Sequence, residues 1–177
     1  SNRYSKVPLF GYENRKYKER FEEFTKQGYE IVSPKRSDWN KVIAEVYTLL
    51  MELYADFPVF KPLSLADFKK QFASYKLILD LSFVKMAYYN GEAVGFFIGM
   101  PDYGNLLYGK IELPELLRVL LKKIRSRNYV MLYMGVKREH QGLGKAMIQT
   151  VIDRVHDKRA TAIGSFIKTG KPTETYV

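Results

Sequence analysis

A turn with two glycines, at the start of a predicted helix, is the part of this sequence best suited to bind a phosphate group. From Val136 to Ile148 the chain reads VKREHQGLGKAMI, so Gly142 and Gly144 follow an apolar stretch and open a helical pattern. The first N–H groups of a helix have no acceptor within the helix, and the helix dipole adds partial positive charge there. Glycine lacks the Cβ that would hold a phosphate away from these groups. A tight turn that only connects strand and helix explains the glycines as well.

The composition excludes several other kinds of site. The 177 residues include no cysteine and only two histidines, His140 and His156. A disulfide framework, a thiolate zinc site, a cysteine nucleophile and a histidine-rich metal site are therefore excluded, and we expect no metal. No apolar run approaches the ~18 residues of a membrane span, and the N-terminus lacks the apolar segment of a signal peptide. We therefore expect a cytoplasmic protein that does not contact a membrane.

The charge is strongly basic. Lys and Arg number 29 against 19 Asp and Glu, which gives a formal net charge of +10. Such an excess favours polyanionic partners in general. Arg138 and Lys145 lie beside the glycine turn, whereas the other basic residues are spread along the chain, as is typical of solvated helix faces. No RRM, KH, helix-turn-helix or zinc-finger signature accompanies the charge, so we expect no specific nucleic-acid partner.

Hydrophobic periodicity predicts the elements that must position this turn. Val42, Val46 and Leu49 recur at helical spacing, and Asn90-Gly91 is a strong hairpin signal between two strand patterns. The order of the elements predicts a mixed α/β fold. The full prediction is a poorly specified lead-in over 1–12, a helix over 13–27, a strand over 29–32, a helix from Asp38 that ends before Pro58, a helix over 64–76, strands over 83–89 and 93–99, a helix over 113–124, a buried strand over 129–136, a helix over 143–158 and a strand over 161–167.

The glycine turn resembles the acyl-CoA motif of the GNAT acetyltransferase superfamily, Gln/Arg-x-x-Gly-x-Gly/Ala. Here the motif is Gln141-x-x-Gly144-x-Ala146. A Walker A loop does not fit, because no Gly-Lys-Ser/Thr closes the turn. A dinucleotide-binding G-x-G-x-x-G motif does not fit either, because Met147 stands where its third glycine would be.

Further segments resemble the same family in the same order. Residues 29–54 are similar to its first strand and helix, and residues 86–96 to its central hairpin. Pro101–Asn105, followed by a Leu-rich basic helix, is similar to one subgroup of uncharacterised GNAT proteins whose chains are usually longer. The resemblance covers about residues 29–168 of the chain.

The resemblance implies an α/β fold of the GNAT acyl-CoA N-acyltransferase type, with a mixed central β-sheet flanked by helices. Its central strands, here over 129–136 and 161–167, splay apart. It also implies acetyl-CoA as co-substrate. The backbone of the strand before the motif would pair with the pantetheine arm, and the N–H groups of the turn would hold the pyrophosphate. The implied CoA-binding residues are Met134, Gly135, Val136, Gln141, Gly142, Leu143, Gly144, Lys145 and Ala146.

The catalytic residues stay unknown, because this chain departs from the family pattern. Attack of an amine on a thioester needs a base for the amine proton and a donor for the oxyanion. In several members of the family the base is a Glu or His on the strand before the motif, but residues 129–134 read YVMLYM. Tyr129 or Tyr133 could join a proton relay or belong to the core. Glu139 and His140 are expected to be solvated turn residues, and Tyr176 is the one tyrosine after residue 167 that could serve as the acid.

The domain prediction places a GNAT-like domain over 29–177, after a lead-in and helix over 1–28 that could be the tail of a preceding segment. The closing strands of the family are short or missing after residue 167. A longer parent chain, a partner such as a second copy in a homodimer, or the N-terminal strand and helix could supply them. Residues 17–29 resemble the helix ending in Gly-Phe that closes many GNAT domains, which favours the third alternative.

The function predicted from this resemblance is an acetyl-CoA-dependent N-acetyltransferase that acts on a primary amine of an unidentified acceptor. The alternative is a catalytically silent CoA-binding or structural GNAT-like domain of a larger protein, which the missing base favours. As a further hypothesis, aromatic residues in loops line a pocket for an apolar or acyl-bearing amine. These residues are Phe57, Phe60, Tyr103 and Tyr108.

Overall fold

The computed structural model describes residues 4–8, 15–56, 63–103, 118, 121–123, 125, 127–158 and 161–167. Short 3-10 turns connect several of the elements, and residues 118, 121–123 and 125 are helical. In chain order the strands and helices are β1 (Tyr4–Pro8), α1 (Arg15–Lys26), β2 (Glu30–Val32), α2 (Trp39–Tyr54), α3 (Leu65–Phe72), α4 (Tyr75–Ile78), β3 (Val84–Tyr89), β4 (Glu92–Pro101), β5 (Asn128–Val136), α5 (Leu143–Asp157) and β6 (Thr161–Ile167).

The six strands form one mixed sheet in the order β1-β6-β5-β4-β3-β2. Strands β2 to β5 are antiparallel neighbours, β6 joins β5 in parallel, and β1 pairs with β6 antiparallel. The parallel step follows from the long connection through α5, because a crossover returns the chain in the same direction. The predicted mixed α/β fold is confirmed.

Helices cover both faces of this sheet. On one face α5 buries Leu143 and Met147, and Phe24 of α1 joins the same apolar cluster. On the other face α2 buries Val46 and Leu49 against β3 and β4. Spacings of three and four residues place these side chains on one side of each helix. Burying one such side chain stabilises the fold by roughly 1.5–3 kcal/mol.

Most predicted elements agree with the structure to within one or two residues, and two do not. The predicted helix over 64–76 is interrupted, since α3 ends at Phe72 and α4 begins at Tyr75. The predicted lead-in contains a strand, β1, which pairs with β6 over its whole length. Only this pairing with a distant strand defines β1, so the local pattern gave no signal. Of the predicted helix over 113–124, most lies outside the described residues.

The N-terminal elements complete the sheet and one helical layer. Strand β1 covers the outer side of β6, with Tyr4 opposite Ile167 and Pro8 opposite Ile163. Helix α1 packs along α5. Which of the three alternatives supplies the closing elements stays a prediction. The boundary at residue 28 itself stays a prediction.

Candidate functional site

Strands β5 and β6 diverge in the middle of the sheet. β5 is paired with β4 along its length, from Tyr129 opposite Pro101 to Val136 opposite Gly95. Its pairing with β6 ends at Val130 opposite Ile163, although both strands continue. The edge of β5 over residues 131–136 therefore faces a widening slot. Backbone groups along such an edge can pair with an extended, amide-containing ligand.

A β-bulge lies within this diverging part of β5. Ile98 is opposite Tyr133 while its neighbour Gly99 is opposite Met131, so Leu132 is the extra residue. A bulge re-aims the side chains that follow it. Leu132 and Tyr133 consequently face the same side of the sheet, towards α2.

Beyond the bulge, Gly135 brings the backbone of β5 close to the helix layer. A Cβ at this position would lie 2.6 Å from Cε1 of Phe96 and 2.9 Å from Cδ1 of Leu53. Both of those side chains are buried and cannot move aside cheaply. Glycine is therefore required here by packing. Met134 and Val136 point to the opposite face and belong to the core under α5.

The slot leads directly to the N-terminus of α5. The 3-10 turn Arg138–His140 is closed by the His140 N–H, which donates to the Lys137 carbonyl at 3.0 Å. Gly142 then takes the N-cap position with φ 92°, a left-handed conformation that favours glycine, and no side chain caps the helix. The N-cap side chain therefore does not occupy the first N–H groups of α5, and the binding of an anion there stays a prediction.

The burial of each residue determines which parts of the turn a ligand can contact. Leu143 and Ala146 are fully buried and anchor the first turn of α5 in the core. Gln141 is exposed, and Lys145 is half-buried beside it. Apart from Gln141, Gly142 and Lys145, the predicted site residues over 134–136 and 141–146 are buried, so a ligand at this site would contact their backbone.

A cluster of Tyr29, Tyr89 and His140, which no sequence pattern predicts, packs at the turn. The Tyr29 hydroxyl and Nδ1 of His140 are 2.6 Å apart, and the Tyr29 ring stacks on Tyr89 with centroids 4.4 Å apart. Burial and the neighbouring Tyr89 raise the pKa of Tyr29, so its hydroxyl stays protonated and forms a hydrogen bond with Nδ1 of His140. The expectation that His140 is a solvated turn residue is therefore wrong. The two partners are 111 residues apart in the sequence, so no local pattern predicts this contact.

Two carboxylates contact Lys137, the basic residue at the start of the turn. Nζ of Lys137 lies 2.5 Å from Glu92 and 3.5 Å from Glu52. The hydrogen bond to Glu92 raises the pKa of Lys137, and it lowers the pKa of the Glu92 carboxyl. Lys137 also donates its backbone N–H to the Val94 carbonyl at 2.9 Å. These contacts hold the turn to the central hairpin and to α2.

The tyrosines considered for catalysis lie in different surroundings. Tyr129 is buried at the opposite end of β5 from the turn, where its hydroxyl contacts Asp80 at 3.0 Å and Lys158. It stacks on Phe83 with centroids 3.6 Å apart, so its position is structural. Tyr133 is 47% exposed and lies at the bulge.

Of the residues proposed to line an aromatic pocket, Tyr103 is buried and its hydroxyl donates to the Ile78 carbonyl. Because it belongs to the core, its assignment to a pocket is wrong. Phe57, Phe60, Tyr108 and Tyr176 lie outside the described residues. Within the residues that the structure describes, no group of three or more His, Cys, Asp or Glu could hold a metal ion. No helix in this part of the chain is long and apolar enough to cross a membrane.

Comparison with known proteins gives one family match. The family described as the acetyltransferase (GNAT) family matches residues 43–173, well over half of the chain. No curated protein matches the sequence.

Comparison with solved structures finds similar chains at low sequence identity. The C-terminal domain of a candidate lysylphosphatidylglycerol synthetase from Agrobacterium fabrum is 11% identical with a TM-score of 0.55, over 92% of this chain and 47% of that one. A ribosomal-protein-alanine N-acetyltransferase from Brucella melitensis biovar Abortus 2308 is 16% identical with a TM-score of 0.47, over 82% of each chain. The likeness to the first structure concerns the fold alone, and the present chain spans about half of its length.

Proposed function

Because the chain belongs to the acetyltransferase (GNAT) family, we propose that it transfers an acetyl group from acetyl-CoA to a primary amine. The observation that carries the proposal is the slot between β5 and β6, which opens directly onto the uncapped N-terminus of α5. A strand edge for an amide-containing arm thus continues into a set of N–H groups for a pyrophosphate.

In this proposal the backbone does most of the binding. The backbone of Met134, Gly135 and Val136 pairs with the two amides of the pantetheine arm. The N–H groups of the turn and the first helical turn receive the pyrophosphate, and the half-buried Lys145 adds a positive charge at its edge. The residues of this second group are Gln141, Gly142, Leu143, Gly144, Lys145 and Ala146.

The reaction would proceed by direct attack. The amine nitrogen forms a bond to the thioester carbonyl carbon, the carbon–sulfur bond breaks, and the sulfur leaves as a thiolate. The proton lost by the amine leaves to solvent or to the thiolate, so the products are an amide and the free thiol of CoA. β5 contains no Glu or His to accept this proton. The chain therefore contributes mainly binding, orientation and backbone donors.

Thermal unfolding with and without acetyl-CoA tests the binding part of the proposal. We expect stabilisation of the wild type by acetyl-CoA, because a ligand that binds only the folded state stabilises it. Gly144→Glu and Lys145→Glu should each abolish the shift by placing negative charge at the pyrophosphate. Lys70→Glu makes the same charge change as Lys145→Glu at an exposed position of α3 and should retain the shift. No shift of the wild type at millimolar acetyl-CoA would overturn the proposal.

A second candidate function is a CoA-binding domain without catalysis. The observation that favours it is the absence of a carboxylate or imidazole on β5, whose residues read NYVMLYMGV. A panel of primary amines, assayed for release of the CoA thiol, separates the two functions. Binding of acetyl-CoA without amine-dependent thiol release would identify the silent domain.

A further inference from the structure

An apolar crevice lies on the α2 side of the sheet, next to the bulge of β5. Its walls come from α2, α3, α4 and the three strands β3, β4 and β5, and Leu132 and Tyr133 of the bulge line one end. The space inside is about 30 Å³. At roughly 10–15 Å³ for each water-sized group, this volume holds two or three heavy atoms of a short chain, and an apolar lining offers water no hydrogen-bond partners.

The crevice and the slot meet at the same few residues. The edge of β5 that faces the slot runs from Val136 back to Met131, a length of roughly 17–20 Å at ~3.3 Å per residue. An arm that starts at the α5 N-terminus and follows this edge ends at the bulge. The bulge turns the side chains of Leu132 and Tyr133 into the crevice. The thioester end of the arm would therefore lie at the crevice opening.

The apolar lining of the crevice selects the protonation state of the amine. Of the described residues that line it, only Lys35 carries a charge, but its side chain is exposed and the Asp38 carboxylate lies 3.3 Å from its backbone nitrogen, so we assign no net charge effect to this pair. An amine whose nitrogen is desolvated at the apolar opening has a lowered pKa, because desolvation disfavours the ammonium form. The environment thus favours the neutral amine, which is the nucleophilic form, without a carboxylate base.

We propose that this crevice binds the apolar part of the acceptor, and that the acceptor is a primary amine carrying a short aliphatic group. The inference rests on the proposed acetyl transfer and deepens it by naming the acceptor class. The aliphatic group fills the space under the bulge, and the amine nitrogen stays at the opening, where it meets the thioester carbonyl as the neutral base.

Trp39 provides a direct probe of this binding. It is the only tryptophan of the chain, it is buried, and it lines the crevice. Its fluorescence is titrated with methylamine, ethylamine, propylamine and ethanolamine in the presence of saturating CoA. Each added methylene should tighten binding by about fourfold. Ethanolamine has as many heavy atoms as propylamine but a polar end, and it should show no such gain.

The pH dependence tests the preference for the neutral amine. Alkylamines have pKa values near that of lysine, about 10.4, so the neutral fraction rises about tenfold between pH 7 and pH 8. The apparent affinity of propylamine should rise by the same factor. An affinity that is the same at both pH values, or a fluorescence that no amine changes, overturns the inference.

Two variants link the crevice to turnover. Ile98→Ala enlarges the crevice beside Tyr133 and should move the preferred amine, measured by thiol release, to a longer chain by one or two carbons. Ile31→Ala removes the same atoms from the other face of the sheet, and its preference should equal that of the wild type. An unchanged preference in Ile98→Ala overturns the inference. Amine binding at Trp39 without thiol release from any amine would instead overturn the acetyl transfer.

Discussion

Asp80 joins three segments at the end of β5 opposite the glycine turn. Its carboxylate accepts hydrogen bonds from the N–H and hydroxyl of Ser82, at 3.0 and 2.7 Å, and from the Tyr129 hydroxyl at 3.0 Å. Nζ of Lys158 lies 3.3 Å away. Burial alone would raise the pKa of Asp80, but the bonds from Ser82 and the charge of Lys158 outweigh it, so the pKa lies below its usual value. This cluster ties the end of α5 to the sheet.

Asp80→Asn should lower the free energy of unfolding by about 1–3 kcal/mol at pH 7, because it removes a charge from a buried hydrogen-bonded group. The pKa of the Asp80 carboxyl is lower in the folded state than in the unfolded state. The stabilisation by this carboxylate is therefore fully present above the unfolded-state pKa of about 3.9, and it is lost as the pH falls through the folded-state pKa. Urea unfolding between about pH 3 and 7 should show the wild-type advantage shrinking in acid. Asp157→Asn, at an exposed carboxylate, is the control. A pH-independent difference would contradict this account.

Tyr29 is a positioning residue for the turn. Tyr29→Phe keeps the ring stacked on Tyr89 but removes the hydroxyl that binds His140. We expect about a three- to tenfold weaker affinity for CoA, measured by calorimetry, because the loss of a hydrogen bond of about 1 kcal/mol loosens the turn. Tyr89→Phe is the matched control, since in the described part of the chain the Tyr89 hydroxyl makes no hydrogen bond. Equal affinities of the two variants would contradict the assignment.

At the scale of the elements, sequence patterns predict the segments that are defined by residues close together in the chain or by a regular apolar spacing. The apolar spacing from Val42 to Leu53 defines α2, and Asn90-Gly91 forms the hairpin with φ angles of 51° and 78°, both positive as a tight primed turn requires. β1 has no such pattern, because only its pairing with β6 makes it a strand. The bulge at Leu132 escaped prediction for the same reason, since it is a property of two strands in register.

The contact between α1 and α5 links an N-terminal element to the candidate site. Phe24 is 7% exposed, and its ring lies 3.5 Å from the position that a Cβ on Gly142 would take. α1 therefore supports the turn as well as the core. The nine residues that contact CoA in the proposal come from β5, from the turn that follows it and from the first turn of α5, so the sequence motif alone does not reveal this support.

Phe24→Ala should lower the free energy of unfolding by about 3–5 kcal/mol, because it leaves a cavity between α1 and α5. Urea unfolding measures the loss. Phe21→Ala in the same helix removes a partly exposed ring and should cost less. Where Phe24→Ala remains folded, its affinity for CoA should also be lower than that of the wild type. An effect of Phe24→Ala no larger than that of Phe21→Ala would show that α1 packs only peripherally.

At the scale of the whole molecule, the motif Gln141-x-x-Gly144-x-Ala146 predicts the family correctly, and the GNAT fold is confirmed. The net charge of +10 is less informative. Near the turn, Lys137 contacts two carboxylates, Arg138 lies 4.0 Å from Asp56, and Arg20 lies 3.6 Å from Glu23. Much of the local positive charge is thus balanced by the protein itself, and in the proposal the neutral N–H groups would hold the pyrophosphate.

The salt dependence of CoA binding distinguishes these two sources of attraction. If backbone N–H groups dominate, raising the salt from 50 to 200 mM should weaken CoA binding by no more than about threefold, because only the diffuse charge is screened. Recognition by Lys and Arg side chains would instead be screened more strongly over the same range. Calorimetric titration at the two salt concentrations measures the change, and Lys145→Ala tests the one half-buried cation of the first helical turn. A tenfold or larger loss in the wild type, reduced in Lys145→Ala, would show that side-chain charge and not the backbone governs recognition.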